Sequence, residues 1–379
     1  MNQVTHQLFL LSPAGDVLTV LADGAWAGLS YALKEDEPGV LDLVLPGDFD
    51  YTLLQIDGQI EVYRAYGGAP MKLEGDTAFF IRRILRAKDE AGTETIRVTA
   101  RSALDLMQRR IVAYYAGASY TDKVLIRWDD LMREIVRENM GEDASDADRD
   151  LRPWLTVEDD IHYGASYTKS MPWRVVLNVL QEIAADVRAG GFYCTFDVVR
   201  TSFGHYEYRV FIGPRGVDHS SDSALPVVVS ESRRNLLHPS ADEDWQEEKN
   251  FIYATGQGQE DERVVETAQD DTRIGISPFN RQEFNRDARQ AELVDSVQAE
   301  ADAALETFRP KRRFSGAISQ TDGCIYGVHW GWGDIVTAEY EDITGRIVSV
   351  DCHVDTVQVS IDADGTEIVV GDLRSETDV

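Results

Sequence analysis

Short apolar runs separated by turn residues fill the first ~110 positions. Leu8–Leu11, the turn Pro13-Ala14-Gly15-Asp16 and Val17–Leu21 read as a hairpin. Val40–Leu45 stops at Pro46-Gly47. Gln59–Tyr63 and Thr95–Thr99 alternate apolar and polar positions, the period of a strand with one buried face, and Phe79–Leu85 is more continuous. Many short strands with turns between them predict a barrel or sandwich.

The period then changes. Asp122–Met140 places Trp128, Leu131, Met132, Ile135 and Val136 on one helical face, with Gly141 as the stop. Asp143–Asp150 is a polar, acidic loop. A second helix is expected from Ser170-Met171-Pro172, with Trp173, Val176, Leu177, Leu180, Ile183, Ala184 and Val187 on its apolar face and Gly190-Gly191 at its end. Phe192–Val199 and Tyr206–Ile212 form a second hairpin, so this stretch reads as a compact α/β unit. Gly117-Ala-Ser-Tyr-Thr121 recurs as Gly164-Ala-Ser-Tyr-Thr168, each copy ahead of an expected helix. Helix capping used twice is the plain reading, and a pair of anion-binding helix entries is the alternative.

The last third opens with the acidic stretch Asp242–Glu248 and an expected strand Asn250–Thr255, followed by Gly256-Gln257-Gly258. Arg281–Phe308 is dense in Ala, Glu, Asp and Arg and predicts one long helix closed by Pro310. Its stripe of Phe284, Ala288, Ala291, Val294 and Val297 is thin, which suits a connecting helix or a partner-binding one equally. Strands are expected at Asp334–Tyr340, Arg346–Val350, Thr356–Ile361 and Glu367–Val370. The two β regions read as distant copies: Gly58-x-Ile60, Arg83-Ile84 and Ile96-x-Val98 parallel Gly333-x-Ile335, Arg346-Ile347 and Val357-x-Val359. The expected fold class is α+β, with two β-barrel or sandwich domains flanking a smaller α/β domain, plus one long connecting helix. Residues 1–113 make the first β domain, 114–240 the α/β middle, and 241–379 the second β domain, which contains the helix 281–308.

Composition narrows the function classes. The chain has 379 residues, 43% apolar and 27% charged, which suits a folded protein of two or three domains. Its net charge of −30 argues against a surface built to hold nucleic-acid phosphates or an anionic membrane. No apolar run approaches the ~18 residues of a membrane helix, and Met1–Leu11 lacks the basic start of a signal peptide. Three cysteines, an odd number, build no disulfide framework and are read as reduced, consistent with folding in a cytoplasm.

Candidate chemistry is sparse. There is no Gly-x-Ser-x-Gly and no local Ser/His/Asp signature. Gly256-Gln257-Gly258 lacks the third glycine and the lysine of a nucleotide loop. Cys324, His329, Cys352 and His353 invite a zinc reading, but neighbours on a strand point to opposite faces and no Cys-x-x-Cys pair exists, so buried cysteines are expected. Asp362-x-Asp364-Gly365-x-Glu367 is too short for a calcium loop and reads as a hairpin turn. With 67 acidic residues, no single carboxylate pair marks a glycosidase. The aromatic run Tyr326-Gly-Val-His-Trp330-Gly-Trp332-Gly333 reads as packing or assembly, with sugar stacking the alternative. No catalytic, cofactor or metal residue is assigned. Trp26, Trp330 and Trp332 are the candidate assembly contacts.

The order of these parts resembles a known family. It rests on Asn250-Phe-Ile-Tyr-Ala-Thr-Gly-Gln-Gly258, Thr272-Arg-Ile-Gly-Ile276, Arg286-Asp-Ala-Arg289, Tyr326-Gly-Val-His-Trp-Gly-Trp-Gly-Asp-Ile-Val-Thr337 and Gly345-Arg-Ile-Val-Ser-Val350. Across nearly the whole chain this resembles the tail hub proteins of long-tailed siphophages, related in fold to the baseplate hubs of contractile phages. The resemblance implies two tube-type β domains per subunit and a homotrimer that adapts a sixfold tail tube to a threefold tip. It implies a structural virion protein, not an enzyme, assembled in the host cytoplasm, and a channel for DNA ejection that DNA crosses without specific binding. The implied partners are the distal tail or tail tube protein, the tape-measure protein and a central tail fibre. An acidic lumen would then repel DNA phosphates. The competing reading is a tail-associated cell-wall hydrolase or carbohydrate-binding protein.

Overall fold

The alternating segments form strands β1 (Val4–Leu11), β2 (Val17–Ala22), β3 (Gly28–Lys34), β4 (Val40–Pro46), β5 (Gln59–Tyr66), β6 (Lys72–Leu73), β7 (Phe79–Lys88) and β8 (Glu94–Ser102). A short helix α1 (Asp105–Gln108) leads to β9 (Asp122–Arg127), α2 (Trp128–Met140), β10 (Leu155–Val157), β11 (Ser166–Ser170), α3 (Val176–Ala189), β12 (Cys194–Ser202) and β13 (His205–Ile212). The rest of the chain adds β14 (Asp218–His219), β15 (Val228–Ser230), β16 (Leu236–Asp244), β17 (Phe251–Thr255), β18 (Val265–Gln269), α4 (Asp271–Ile274), β19 (Glu283–Asp287), α5 (Val294–Thr307), β20 (Lys311–Ser319), β21 (Ile335–Glu341), β22 (Ile347–Ile361) and β23 (Glu367–Asp378). The structure is a computed structural model and describes residues 4–378 apart from 89–91, 114–121, 172, 259–262, 290–293, 343 and 363.

One 15-stranded sheet dominates, with its strands in the order β16-β20-β23-β22-β3-β4-β8-β7-β5-β1-β2. Alternation decides which face is buried. Leu29, Tyr31, Leu41, Leu43, Val98, Val357, Val359 and Leu373 share the largest hydrophobic core, while Ser30, Arg97, Gln358 and Ser360 between them are exposed.

The sheet holds the same four-stranded unit twice, β16-β20-β23-β22 and then β3-β4-β8-β7. The two copies share a defect. Ile81 faces Ala100 and Arg83 faces Thr99, so Arg82 is bulged. Val354 faces Leu373 and Thr356 faces Asp372, so Asp355 is bulged. Beside each bulge the same backbone exchange occurs. The Ile81 amide donates to the Gly58 carbonyl at 2.8 Å, and the Ile81 carbonyl accepts from the Asp57 amide at 3.0 Å. The Val354 amide donates to the Asp334 carbonyl and its carbonyl accepts from the Gly333 amide, both at 2.9 Å. This register sets Gly58 against Asp334, one residue from the expected Gly58/Gly333 match. It sets Arg83-Ile84 against Thr356-Val357, and Ile96-x-Val98 against Val369-x-Gly371.

Antiparallel pairing of β3 with β22, from Lys34↔Thr356 to Leu29↔Ile361, joins the copies. Two separate strands were expected at Arg346–Val350 and Thr356–Ile361. They are one 15-residue strand, because the bulge bends the chain without ending its pairing.

The middle segment packs α2 and α3 on the three-stranded sheet β10-β13-β12. The apolar faces expected for both helices are buried, except that Trp173 is exposed. The helix starts differ. Asp122–Arg127 is a strand, and the second helix begins at Val176, because the backbone of 173–176 is held by residues 110–112. Gly164–Thr168 runs into strand β11 and precedes no helix directly; the first copy of that motif lies outside the described residues.

The largest departure lies at Arg281–Phe308. Its first part is strand β19, parallel to β17, and among its described residues only Val294–Thr307 is helical. The buried Asn250 side chain decides this. Its Oδ1 accepts from the Gln282 amide at 2.8 Å and its Nδ2 donates to the Asn280 carbonyl at 2.5 Å, which fixes the backbone extended as it enters β19. Phe284 then meets Phe308 with ring centroids 4.7 Å apart. Helix-favouring composition loses to tertiary pairing. Strand makes up 47% and helix 16% of the chain, so it is mostly β, and the expected α+β class with a long connecting helix is incorrect.

Replacing the buried Asn250 by Ala removes the partner of the Gln282 amide and the Asn280 carbonyl and is expected to cost about 1–3 kcal/mol. Hydrogen exchange should quicken first in 250–287, ahead of the main sheet; uniform exchange would show that Asn250 is not the local anchor.

Candidate functional site

Among the described residues no enclosed cleft with converging reactive groups stands out; the distinctive surface is the open face of the main sheet. Ser30, Arg97, Gln358, Ser360, Asp372, Arg374 and Ser315 project from it exposed, and Asp42 accepts from Thr99 Oγ1 at 2.7 Å. A shallow depression of about 420 Å³ crosses the join of the two units, lined by Ser30, Asp42, Arg97, Ser360 and Thr366. Acids and arginines interleave on this face.

Two buried charge clusters hold the sheet in shape. The first closes the unit join from the core side. Arg64 forms a two-pronged pair with Glu367, Nε to Oε2 at 2.8 Å and Nη2 to Oε1 at 2.7 Å, and donates through Nη1 to the Tyr326 carbonyl at 3.1 Å. The Tyr326 hydroxyl donates to Glu74 at 2.8 Å, and that of Tyr31 donates to the same oxygen at 3.2 Å. His6 Nε2 lies 3.2 Å from Glu367. Burial pushes the Glu367 carboxyl up, but bonds from Arg64 and His6 outweigh it and hold it at about 2. Burial pushes the Glu74 carboxyl up, against the pull of Arg64.

The second cluster ties the middle segment to the join. Asp36 accepts from the Phe196 amide at 2.9 Å and pairs with Arg188 at 2.5 Å. Tyr193 donates to Glu35 Oε2 at 2.5 Å, and its ring stacks on His353 with centroids 3.8 Å apart. Burial lifts the Glu35 carboxyl to about 8, so it is a neutral acid at neutral pH. Burial and then Arg188 depress His353 to about 4. Glu35 Oε1, His353 Nδ1 and Asp355 Oδ1 are buried with no hydrogen-bond partner among the described residues.

The three candidate tryptophans lie in different settings. Trp330 is 2% exposed and Trp26 6%, both in the main core. A side chain at Gly371 would meet the Trp330 ring at 2.8 Å, so that glycine makes room for it. Trp332 is half-buried, with Arg215 4.1 Å above its ring and its Nε1 donating to the Asp355 carbonyl at 3.1 Å. The residues weighed for metal are dispersed. Cys324 and Cys352 are buried, His329 Nδ1 accepts from the Ile325 amide, and Glu367 belongs to Arg64. Among the described residues no group of three or more His, Cys, Asp or Glu is placed to hold a metal ion, and no helix is long and apolar enough to cross a membrane.

Sequence reasoning missed Arg64, Glu74, Glu35 and Asp36. The signal for Arg64 was present, a charge within the alternating run Gln59–Tyr66; nothing local marks the others.

A family described as Siphovirus ReqiPepy6 Gp37-like protein matches residues 67–372. No curated protein matches the chain. Among solved structures it is similar to the tail protein from Neisseria meningitidis MC58, with a TM-score of 0.57 and 10% identity over 98% of this chain and 97% of that one. It is also similar to the 43 kDa tail protein of prophage MuSo2 from Shewanella oneidensis, with a TM-score of 0.53 and 10% identity over 98% of each chain. A chain of the Francisella PdpA-VgrG complex matches with a TM-score of 0.51 and 8% identity, over 99% of this chain and 52% of that one.

Glu367→Gln is expected to cost about 3–5 kcal/mol in urea unfolding, because it leaves Arg64 buried and unpaired; Arg64→Met on the same chain should recover part of that loss. For Glu35, the raised value means that its contribution to stability is complete below pH 4.5 and is lost as pH rises toward 8. Glu35→Gln should therefore gain on the parent chain between pH 5 and 8 in unfolding midpoint, and midpoints that run parallel would show that Glu35 is not held neutral.

Proposed function

The chain belongs to the Siphovirus ReqiPepy6 Gp37-like protein family, structural phage tail proteins related to baseplate hubs, and on that premise we propose that three copies form the hub at the distal end of a phage tail. The observation that carries this reading is the four-stranded unit present twice, in one direction, in one continuous sheet. Three such chains present six like units, which suits a sixfold tube above and leaves threefold symmetry below.

In this hub the polar sheet face lines a central channel through which DNA leaves. An exposed face of Ser, Gln, Asp and Arg, with Ile368 exposed among them, offers passing DNA a mainly polar surface and no run of lysines. Arg97 and Arg374 stand among Asp42 and Asp372, so the repulsion of phosphate comes from the −30 net charge of each chain more than from an acid-only lining. The segments without a counterpart in the first unit, β17–α5 above all, would occur three times per ring, and we assign to them the contacts with the tail tube protein, the tape-measure protein and a central fibre. Of the three candidate tryptophans Trp26, Trp330 and Trp332, Trp332 keeps most surface for such a contact.

Light scattering on the purified chain, with negative-stain imaging of the same peak, tests the reading. A trimer with a threefold outline and a central channel is expected. A compact monomer that stays monomeric with its tail-tube partner present would overturn it.

A further inference from the structure

Each unit uses one edge strand to join its neighbour, and the same two edges are left open at the far ends. Inside the chain, β22 of one unit pairs with β3 of the other. The counterpart of β22 is β7, and the counterpart of β3 is β16. Among the described residues β16 pairs only with β20, and β7 beyond Ile81 pairs only with β8. Unpaired strand edges of this length are templates for another strand.

The two open edges carry opposite charge. β7 presents Arg82, Arg83, Arg86 and Lys88, all exposed, on a chain that is otherwise strongly acidic. β16 presents exposed Asp242 and Glu243 and half-buried Asp244. Like edges repel and unlike edges attract, so the charges select a head-to-tail contact over a two-fold one.

We propose that copies of this chain join by antiparallel pairing of β7 in one copy with β16 in the next, repeating the β3–β22 contact. The proposal rests on the ring reading above and gives it a register. The shared bulges map Thr356 onto Arg83, and the β20 and β23 pairings map Lys34 onto Asp242. Thr356↔Lys34 thus becomes Arg83 opposite Asp242 of the next copy. Ile84 then faces Ala241 and Leu85 faces Ser240. The Glu35 amide donates to the Asp355 carbonyl at 2.9 Å, and its equivalent brings Glu243 to Arg82. Arg82 is already held by Asp57 and Glu243 by Arg312, so each new pair extends an existing network. His238, at φ 50°, and Pro239 break β16 opposite Gly316, which confines the strongest pairing to Ser240–Asp244.

Leu85→Cys with Ser240→Cys tests the register, since both positions are exposed and the three native cysteines are buried. A short thiol-reactive crosslinker should give covalent trimer from the double variant, and covalent dimer when the two single variants are mixed. Arg83→Asp and Asp242→Arg should each weaken assembly about fivefold or more, and together restore it. A threefold ring that does not crosslink, and whose stability ignores both reversals, overturns the edge pairing and leaves the hub reading standing. Crosslinked open filaments support the pairing and count against the hub. Monomers that never crosslink overturn both.

Discussion

The pairing of β3 with β22 is the constraint on which the rest of the molecule depends. It turns two four-stranded units, far apart in sequence, into one sheet with a single buried face. A one-residue slip there would send Leu29, Tyr31, Val357 and Val359 to solvent. Hydrophobic alternation therefore sets the register, and the Arg64–Glu367 pair locks it from the core side. That pair links residues 303 positions apart, so it forms only when both units are in place.

Buried charge at such a join is a costly way to gain stability. Its value is directional: a two-pronged guanidinium–carboxylate bond accepts one geometry where an apolar contact accepts many. The Glu35, Tyr193 and His353 cluster does the same for the middle segment, with neutral groups. Burial keeps Glu35 protonated and His353 unprotonated, so the cluster holds hydrogen bonds and a ring stack with little net charge.

Repetition of the unit also explains where the chain carries its extra parts. Between β3 and β4 the first copy has only a tight turn, while between β16 and β20 the second holds a small sheet and α5. The insertions leave the paired strands undisturbed, and the bulges at Arg82 and Asp355 are retained in both copies. A bulge kept at one place in both copies sets the same local twist and curvature in each.

Much of this was legible in the residues. Alternation located β5 and β8, apolar runs bounded by turn residues located β1, β2, β4, β7 and β21, and a 3.6 period located the buried faces of α2 and α3. The order of motifs pointed to the tail hub resemblance. Within the two repeated units the strands missed are β3, which lies at the join, β16, at an open edge, and β20 beside it. Their residues carry no strong local preference: Gly28-Leu-Ser-Tyr-Ala-Leu-Lys34 has a glycine and two small residues, and Asp242–Glu248 reads only as an acidic stretch. Their pairing energy comes from neighbours remote in sequence. The same holds for Arg281–Asp287, where composition favours a helix and Asn250 with β17 imposes a strand. Local period and composition are properties of the sequence alone, and they determined which segments bury a face. Which faces meet, which edges stay open and which charges pair depend on contacts between distant segments, and only the tertiary structure decided them.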